Sequence, residues 1–171
     1  MTRGDIFKEQ IVRRQPSMLN RIKKASLIGA AFFIGIIGMA VGQMFGPFIL
    51  AAVIFGAWYG ISFLNVEYEY TFTAGELDID AIYNRSRRKR VFSGRVNDFE
   101  LMAHLEDQRH LGSFHGAQVT KDYSSGVTGK DTYAFMVNYQ NKRTKIIIEP
   151  NEFMLKALAS VLTRRRLHVK L

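Results

Sequence analysis

The sequence that decides the fold is ASLIGAAFFIGIIGMAVGQMFGPFILAAVIFGAWYGISFL, residues 25–64, which contains no Asp, Glu, Lys, Arg or His. It is twice as long as the ~20 residues that a helix needs to cross a hydrocarbon layer about 30 Å thick. Gly46 and Pro47 lie near its middle and indicate a break between two helices. The stretch therefore predicts a membrane α-helical hairpin with spans at about residues 25–41 and 48–64.

Two other interpretations of this stretch fit less well. A secretory signal also follows a basic flank, but its apolar region is only about 7–15 residues long and no second span follows it. Helices buried in the core of a soluble protein usually keep a polar face, and neither half of this stretch has one. Length and composition favour two membrane spans.

Small residues recur four positions apart in both predicted helices, which is typical of closely packed membrane helices. We expect the two strips to face each other within the hairpin, although they would also suit a dimer: Gly38, Gly42 and Gly46 in the first helix, and Ala52, Gly56 and Gly60 in the second. Trp58 and Tyr59 stand near the end of the second span, as interfacial anchors do.

The N-terminal flank, residues 1–24, is basic and predicts the orientation of the hairpin. Positive charge next to a span stays on the cytoplasmic side, so we expect a multi-pass protein of the cell membrane with both termini in the cytoplasm. Within the flank, residues 6–14 fit either a short interfacial helix or a frayed tail. The basic residues of the flank are Arg3, Lys8, Arg13, Arg14, Arg21, Lys23 and Lys24.

After residue 65 the pattern changes to the alternation that marks β-strands. Residues 66–72 and 77–81 alternate apolar and polar side chains, and a third strand is predicted at 87–92. Later strands are expected at 118–123, 133–139 and 145–149, while 94–131 otherwise allows no firm assignment.

A helix capped by Asn151 closes the domain. Its predicted apolar face consists of Phe153, Leu155, Leu158, Val161 and Leu162, and its C-terminal end carries Arg164, Arg165 and Arg166. Residues 66–171 thus read as an α+β domain of antiparallel strands and one C-terminal helix.

The segment VEYEYTFTAGELDIDAIYNRSRRKRVFS, residues 66–93, together with the later hairpin and the capped helix, resembles the bacterial pleckstrin-homology-like (PH-like) domain. The resemblance implies a strongly bent antiparallel sheet, a partial barrel, plugged by the C-terminal helix. With the opening FKEQIVRR and the hairpin, the chain is similar to a family of small two-span membrane proteins of Gram-positive bacteria. That resemblance implies no activity and assigns no functional residues.

The sequence contains no recognisable catalytic motif. Residues 124–131 lack two residues that a Walker A phosphate loop requires, and no G-x-S-x-G or H-E-x-x-H motif occurs. The potential metal ligands His104, Asp107, His110 and His115 lack the spacing of a metal site, and cysteine is absent. We therefore predict no enzyme, cofactor or metal. The acidic set is interpreted as the solvated face of a hairpin: Glu67, Glu69, Glu76, Asp78 and Asp80.

The remaining signal is a basic run in the predicted third strand. Because this run would return towards the membrane, we expect it to contact anionic lipid headgroups rather than nucleic acid. The predicted contacts are Arg85, Arg87, Arg88, Lys89 and Arg90, with Arg13, Arg14, Lys23 and Lys24 of the flank. The predicted function is a membrane-anchored, non-enzymatic module whose domain binds a protein, a peptide or an anionic lipid surface. The alternative is an accessory subunit of, or a small enzyme acting on, a membrane-associated substrate.

Overall fold

The structure is a computed structural model that describes residues 7–107, 112–127, 129, 131–162 and 167–168. The chain divides into two compact units. The helical unit contains residues 16–66 and 83–87, and the β-rich unit contains the other described residues.

The helical unit consists of two helices joined by a single tight turn. Helix α1 spans Met18–Val41, a turn of 3-10 helix covers Gln43–Phe45, and α2 spans Gly46–Ser62. The Ser17 side chain caps α1 by accepting a hydrogen bond from the Leu19 backbone amide (3.3 Å), and Pro47 occupies the first turn of α2. The predicted pair of helices is confirmed. Because Ser17 provides the cap, α1 begins at Met18 rather than at residue 25.

Helix α1 and the segment Gln43–Ser62, which contains α2, are long and apolar enough to cross a membrane, and only 6% of the most apolar 18-residue stretch of each is buried. They pack through the predicted strip Gly38, Gly42 and Gly46, of which Gly46 is the first residue of α2 rather than part of α1. A Cβ atom added at Gly38 would lie 2.5 Å from Ile49, and one added at Gly46 would lie 3.0 Å from the Cα atom of Met39. A side chain at Gly38 would displace Ile49, and one at Gly46 would require the backbone at Met39 to move by a few tenths of an ångström.

The second small-residue strip differs from the expectation. Gly60 would place a Cβ atom 3.5 Å from Leu27, but Ala52 is exposed and a Cβ atom at Gly56 would have no neighbour within 4 Å. The reason is that α2 presents large side chains to the glycines of α1. Leu50 approaches Gly35 as Ile49 approaches Gly38, so small residues of one helix receive large residues of the other.

The first sheet of the β-rich unit has the strand order β1-β2-β3-β4. Its strands are β1 (Lys8–Arg13), β2 (Val66–Thr73), β3 (Glu76–Tyr83) and β4 (Arg87–Arg95). Strand β1 was not predicted, because the flank was expected to be a helix or a frayed tail. It pairs antiparallel with β2 from Lys8↔Phe72 to Arg13↔Glu67 and buries Val12. The β-rich unit therefore includes residues that precede the helices as well as those that follow them.

The second sheet has the order β6-β8-β7-β5-β9 and is not wholly antiparallel. Strands β7 and β8 form the predicted hairpin, but β6 pairs parallel with β8, and β5 pairs parallel with β9. Strand β6 pairs with β8, the second strand of the β7–β8 hairpin, and not with β7. It therefore runs parallel to its neighbour. The bounds are Leu101–His104 for β5, Val119–Asp122 for β6, Tyr133–Tyr139 for β7, Lys142–Ile148 for β8 and Leu167–His168 for β9.

Helix α3, Glu152–Val161, packs onto the core of the β-rich unit. The predicted cap is confirmed, since the Asn151 side chain accepts a hydrogen bond from the Met154 amide (2.8 Å). The prediction that Phe153 belongs to the apolar face is wrong: Phe153 is exposed, because the face is formed by Met154, Leu155, Ala157 and Leu158. Arg164, Arg165 and Arg166 lie outside the described residues.

One side chain of β1 joins the first strand to the corner where β8 leads into α3. The Gln10 amide nitrogen donates to the Glu149 carbonyl oxygen (2.8 Å), and its amide oxygen accepts from the Asn151 backbone amide (2.7 Å). Gln10 thus holds together segments 139 and 141 residues apart in the chain.

Replacing Leu158 by Asp tests the placement of α3. Leu158 is fully buried, so an unpaired carboxylate there should lower the free energy of unfolding by about 3–5 kcal/mol. Phe153→Asp places the same charge on the exposed side of the helix and should cost about 1 kcal/mol or less. Denaturant unfolding of the full chain in detergent, followed by circular dichroism, measures both. Equal losses would contradict this packing.

Replacing Gln10 by Ala tests the attachment of β1. The change removes two hydrogen bonds, and we expect local opening of β1 to become easier by about 1–3 kcal/mol. Hydrogen–deuterium exchange of the peptide containing residues 8–13 measures this opening. Gln15→Ala, in the same segment but with an exposed side chain, is the matched control and should leave the exchange unchanged.

Candidate functional site

The predicted basic run divides between the two units after Arg87. In the β-rich unit, Arg88 and Arg90 of β4 lie over carboxylates of β2 and β3. Arg88 forms an ion pair with Glu69, and Arg90 Nε donates to Asp80 Oδ1 (2.7 Å). Arg90 Nη1 also donates to Asp78 Oδ2 (2.8 Å). The positive charge of both arginines is therefore largely balanced within the sheet.

The acidic residues of this sheet are not simply a solvated face, which corrects the sequence interpretation. Glu69 is 4% exposed and Asp80 is 6% exposed. They are covered because Arg88 and Arg90 lie across them and because β1 pairs beside β2. Burial raises the pKa of Glu69 above its usual range, and the neighbouring Glu9 adds to the rise, while Arg88 opposes it.

The two arginines of the flank are also paired. Arg13 Nε lies 2.9 Å from Glu67 Oε1, directly across the β1–β2 pair. Arg14 donates to the Asp122 carbonyl oxygen (2.8 Å) and to the Asp122 carboxylate (3.2 Å). Four of the nine predicted lipid contacts, Arg13, Arg14, Arg88 and Arg90, thus have carboxylate partners.

The other predicted contacts are exposed. Lys23 and Lys24 lie near the start of α1, Arg85 lies in the β3–β4 turn, and Lys89 is on β4. The two central residues of this turn, Asn84 and Arg85, have positive φ (49° and 55°), and the Ser86 amide closes it by donating to the Tyr83 carbonyl oxygen (3.0 Å). The Asn84 amide donates to the Asn65 carbonyl oxygen (2.9 Å), which attaches the turn to the chain just after α2.

Arg87 lies against aromatic side chains at the end of α2. Its guanidinium carbon is 5.2 Å from the centre of the Tyr59 ring and 5.5 Å from that of Phe63. Its Nη1 donates to the Tyr59 hydroxyl oxygen (3.0 Å). These distances are typical of cation–π contacts, so the rings fix the position of this cation.

A pocket of about 270 Å³ opens beside Arg87, entirely within the helical unit. Its lining combines aromatic rings with a few polar groups, among them Trp58, Tyr59, Phe63, Tyr83, Ser86 and Arg87. The lining of this pocket would suit a ligand that is partly apolar and carries an acceptor for the guanidinium. We call it the Arg87 pocket.

Sequence reasoning selected Arg87 but missed its surroundings. Tyr59 and Phe63 are four residues apart, so they share one face of α2, and this spacing was a usable signal. Tyr83 was not foreseen, because it reaches the helix end only through the β3–β4 turn.

His104 Nδ1 accepts a hydrogen bond from the Glu106 amide (3.2 Å), and the described residues contain no cluster of three or more potential metal ligands. His110, one of the four residues considered and rejected as metal ligands, lies outside the described residues.

Glu69→Gln tests the buried carboxylate. Because the pKa of Glu69 is raised in the fold, the folded chain holds a proton that the unfolded chain releases at pH values above the ordinary 4.5. This residue therefore makes stability fall as the pH rises through that range. We expect Glu69→Gln to flatten this fall, measured as unfolding midpoint against pH. Glu76→Gln, at an exposed position of the same sheet, serves as control. Coinciding profiles for Glu69→Gln and the unmodified chain would contradict the assignment.

Comparison with known proteins agrees with the fold. The family model described as a bacterial PH-like domain, DUF6106, matches residues 4–167. No curated protein and no solved structure matches the chain. The match includes β1, both helices, the two sheets and α3, and so covers far more than half of the sequence. The chain belongs to the bacterial PH-like domain family DUF6106.

Proposed function

We propose that this protein is a membrane-anchored, non-enzymatic binding module. In this proposal α1 and α2 span the cell membrane and hold the PH-like domain at its cytoplasmic face. The domain there binds a partner, which is a protein, a peptide or the anionic lipid surface itself.

The exposure of the helices carries the proposal. Large apolar side chains cover their surface, including Phe32, Phe33, Ile37, Phe48 and Phe55, each more than half exposed. Burying one such side chain stabilises a protein by about 1.5–3 kcal/mol, so a helix pair of this kind needs a covering. Core helices of soluble proteins are covered by the rest of their own chain. Here the described residues leave 94% of the most apolar 18-residue stretch of each helix uncovered. A bilayer supplies a covering of the required length.

The charges of the helical unit support the orientation. Leu27 of α1 packs near Gly60 of α2, so the start of α1 and the end of α2 form one end of the hairpin. Lys23 and Lys24 belong to that end, as do Arg85 and Arg87 of the attached turn. The opposite end, residues 42–47, has no charged residue. Basic residues at one end favour the cytoplasm for that end.

The pairing of charges refines the predicted lipid contact. An arginine paired with a carboxylate contributes little net field, whereas a basic residue that no carboxylate neutralises contributes about 1 kcal/mol towards anionic lipid at a membrane surface. We therefore place the lipid contact at Lys23, Lys24 and Arg87 of the helical unit rather than at the four paired arginines. Any protein partner is to be found among proteins that co-purify with the detergent-solubilised full chain.

Cysteine labelling tests the anchoring, because the chain has no native cysteine. Met44, exposed in the turn between the helices, and Lys142, exposed at the β7–β8 turn, are each replaced by Cys. In intact cells an impermeant thiol reagent should label Met44→Cys but not Lys142→Cys. In permeabilised cells the reagent should label both variants. Extraction of the protein by alkaline carbonate, or labelling of Lys142→Cys in intact cells, would refute the proposal.

A further inference from the structure

We propose that the Arg87 pocket binds the phosphodiester headgroup of one anionic phospholipid. The inference rests on the proposed membrane anchoring and goes further, because it assigns a discrete site in place of a general basic surface. Four observations support it: Arg87 is ordered and has unused donors, the pocket is positively charged, its lining includes polar groups, and it lies at the level of the interfacial end of α2.

Arg87 is held in position and has donors left over. One of its N–H groups is used by the Tyr59 hydroxyl oxygen, and the two rings restrict the side chain. Within the described part of the chain, no carboxylate pairs with Arg87, whereas the next residue, Arg88, is bound to Glu69. A guanidinium that is already ordered and faces a pocket is well suited to a phosphate, which accepts two parallel hydrogen bonds from it.

The pocket selects an anion rather than a cation. Aromatic rings alone would suit a quaternary ammonium group such as choline. Here the guanidinium already occupies the faces of Tyr59 and Phe63, so a second cation would be repelled. Ser86 and Asn84 add a hydroxyl and an amide group to the lining, whereas the Ser62 hydroxyl already donates to the Tyr59 carbonyl oxygen (2.6 Å). A headgroup that bears a phosphate and free hydroxyls, such as glycerol phosphate, fits this combination.

The pocket also has the depth of a headgroup. Trp58 and Tyr59 precede the end of α2 at Ser62 by one turn, which is where interfacial aromatic residues stand in a membrane helix. A lipid phosphate at this level meets Arg87 while the first carbons of its chains meet Phe55 and Trp58, which also line the pocket. The ligand therefore reaches the site without leaving the bilayer.

Trp58 supplies the experiment, because it is the single tryptophan of the chain and lines the pocket. The full chain is reconstituted in phosphatidylcholine nanodiscs that contain a minor fraction of brominated phosphatidylglycerol or the same fraction of brominated phosphatidylcholine. Bromine quenches tryptophan fluorescence on contact. We expect phosphatidylglycerol to occupy the Trp58 contact about fivefold in preference to phosphatidylcholine, the factor that one basic residue at an anionic surface provides.

Two matched variants separate a site from a diffuse charge. Arg87→Gln should abolish the preference, and Arg85→Gln, which removes the same charge from the same turn outside the pocket lining, should retain it. Equal losses in both variants would overturn the proposal, as would the absence of any preference in the unmodified chain. Arg87→Lys keeps the charge but not the forked donors, so it should lose most of the preference; full retention would overturn the site. If Arg87→Gln fails to fold, Arg87→Lys decides alone.

Two further arms distinguish the other outcomes. Soluble glycerol phosphate in excess should leave the preference intact; if it abolishes the preference, the site belongs to a soluble phosphate ester and the lipid proposal is wrong. Failure of the membrane anchoring has a different signature, since neither brominated lipid would then quench Trp58. Strong and equal quenching by both lipids leaves the anchoring in place and refutes only the headgroup site.

Discussion

The pairing of β1 with β2 is the constraint on which the rest of the structure depends. These strands stand immediately before α1 and immediately after α2, and the register joins Arg13 to Glu67 across 54 residues. Arg13 precedes α1 and Glu67 follows α2. Because these two residues are paired, the start of α1 and the end of α2 must lie close together. The packing of Leu27 near Gly60 satisfies that requirement. The glycines at positions 38, 42 and 46 allow the helices to stay close from this end to the turn.

The alternation of β4 explains why adjacent basic residues have different environments. Successive strand residues point to opposite faces, so Arg88 and Arg90 lie over Glu69 and Asp80 while Arg87 and Lys89 point the other way. One face of the strand is thereby used to neutralise buried carboxylates, which would otherwise be costly to keep in the fold. The other face keeps its charge available. The basic residues at the start of β4 thus neutralise carboxylates on one face of the strand, and only the other face contributes to the proposed lipid contact.

Local patterns predicted much of the fold, and non-local pairings account for the remainder. The helix break at Gly46 and Pro47, the alternating strands after residue 65 and the Asn151 cap depend on neighbours in sequence, and all are present. Strand β1 was missed because its short, highly charged pattern resembles a tail until the partner strand, more than 50 residues away, is known. The burial of Glu69 and Asp80 was missed for a related reason, since alternation identifies a polar face but not what covers it. Arg87 was foreseen as a cation, and its aromatic setting was not, because Tyr83 reaches Phe63 (6.3 Å between ring centres) only in the folded chain.

The attachment of Gln10 has a consequence for the order in which the chain is made. Strand β1 leaves the ribosome before either helix, but its pairing partner β2 follows both, and the groups that bind Gln10 belong to residues 149 and 151. Synthesis proceeds at about 5–20 residues per second, so β1 waits several seconds for β2 and longer for α3. During that interval the hairpin has emerged and the sheet is still incomplete. Completion of the β-rich unit therefore follows synthesis of both helices, although the strand that completes it is translated before them.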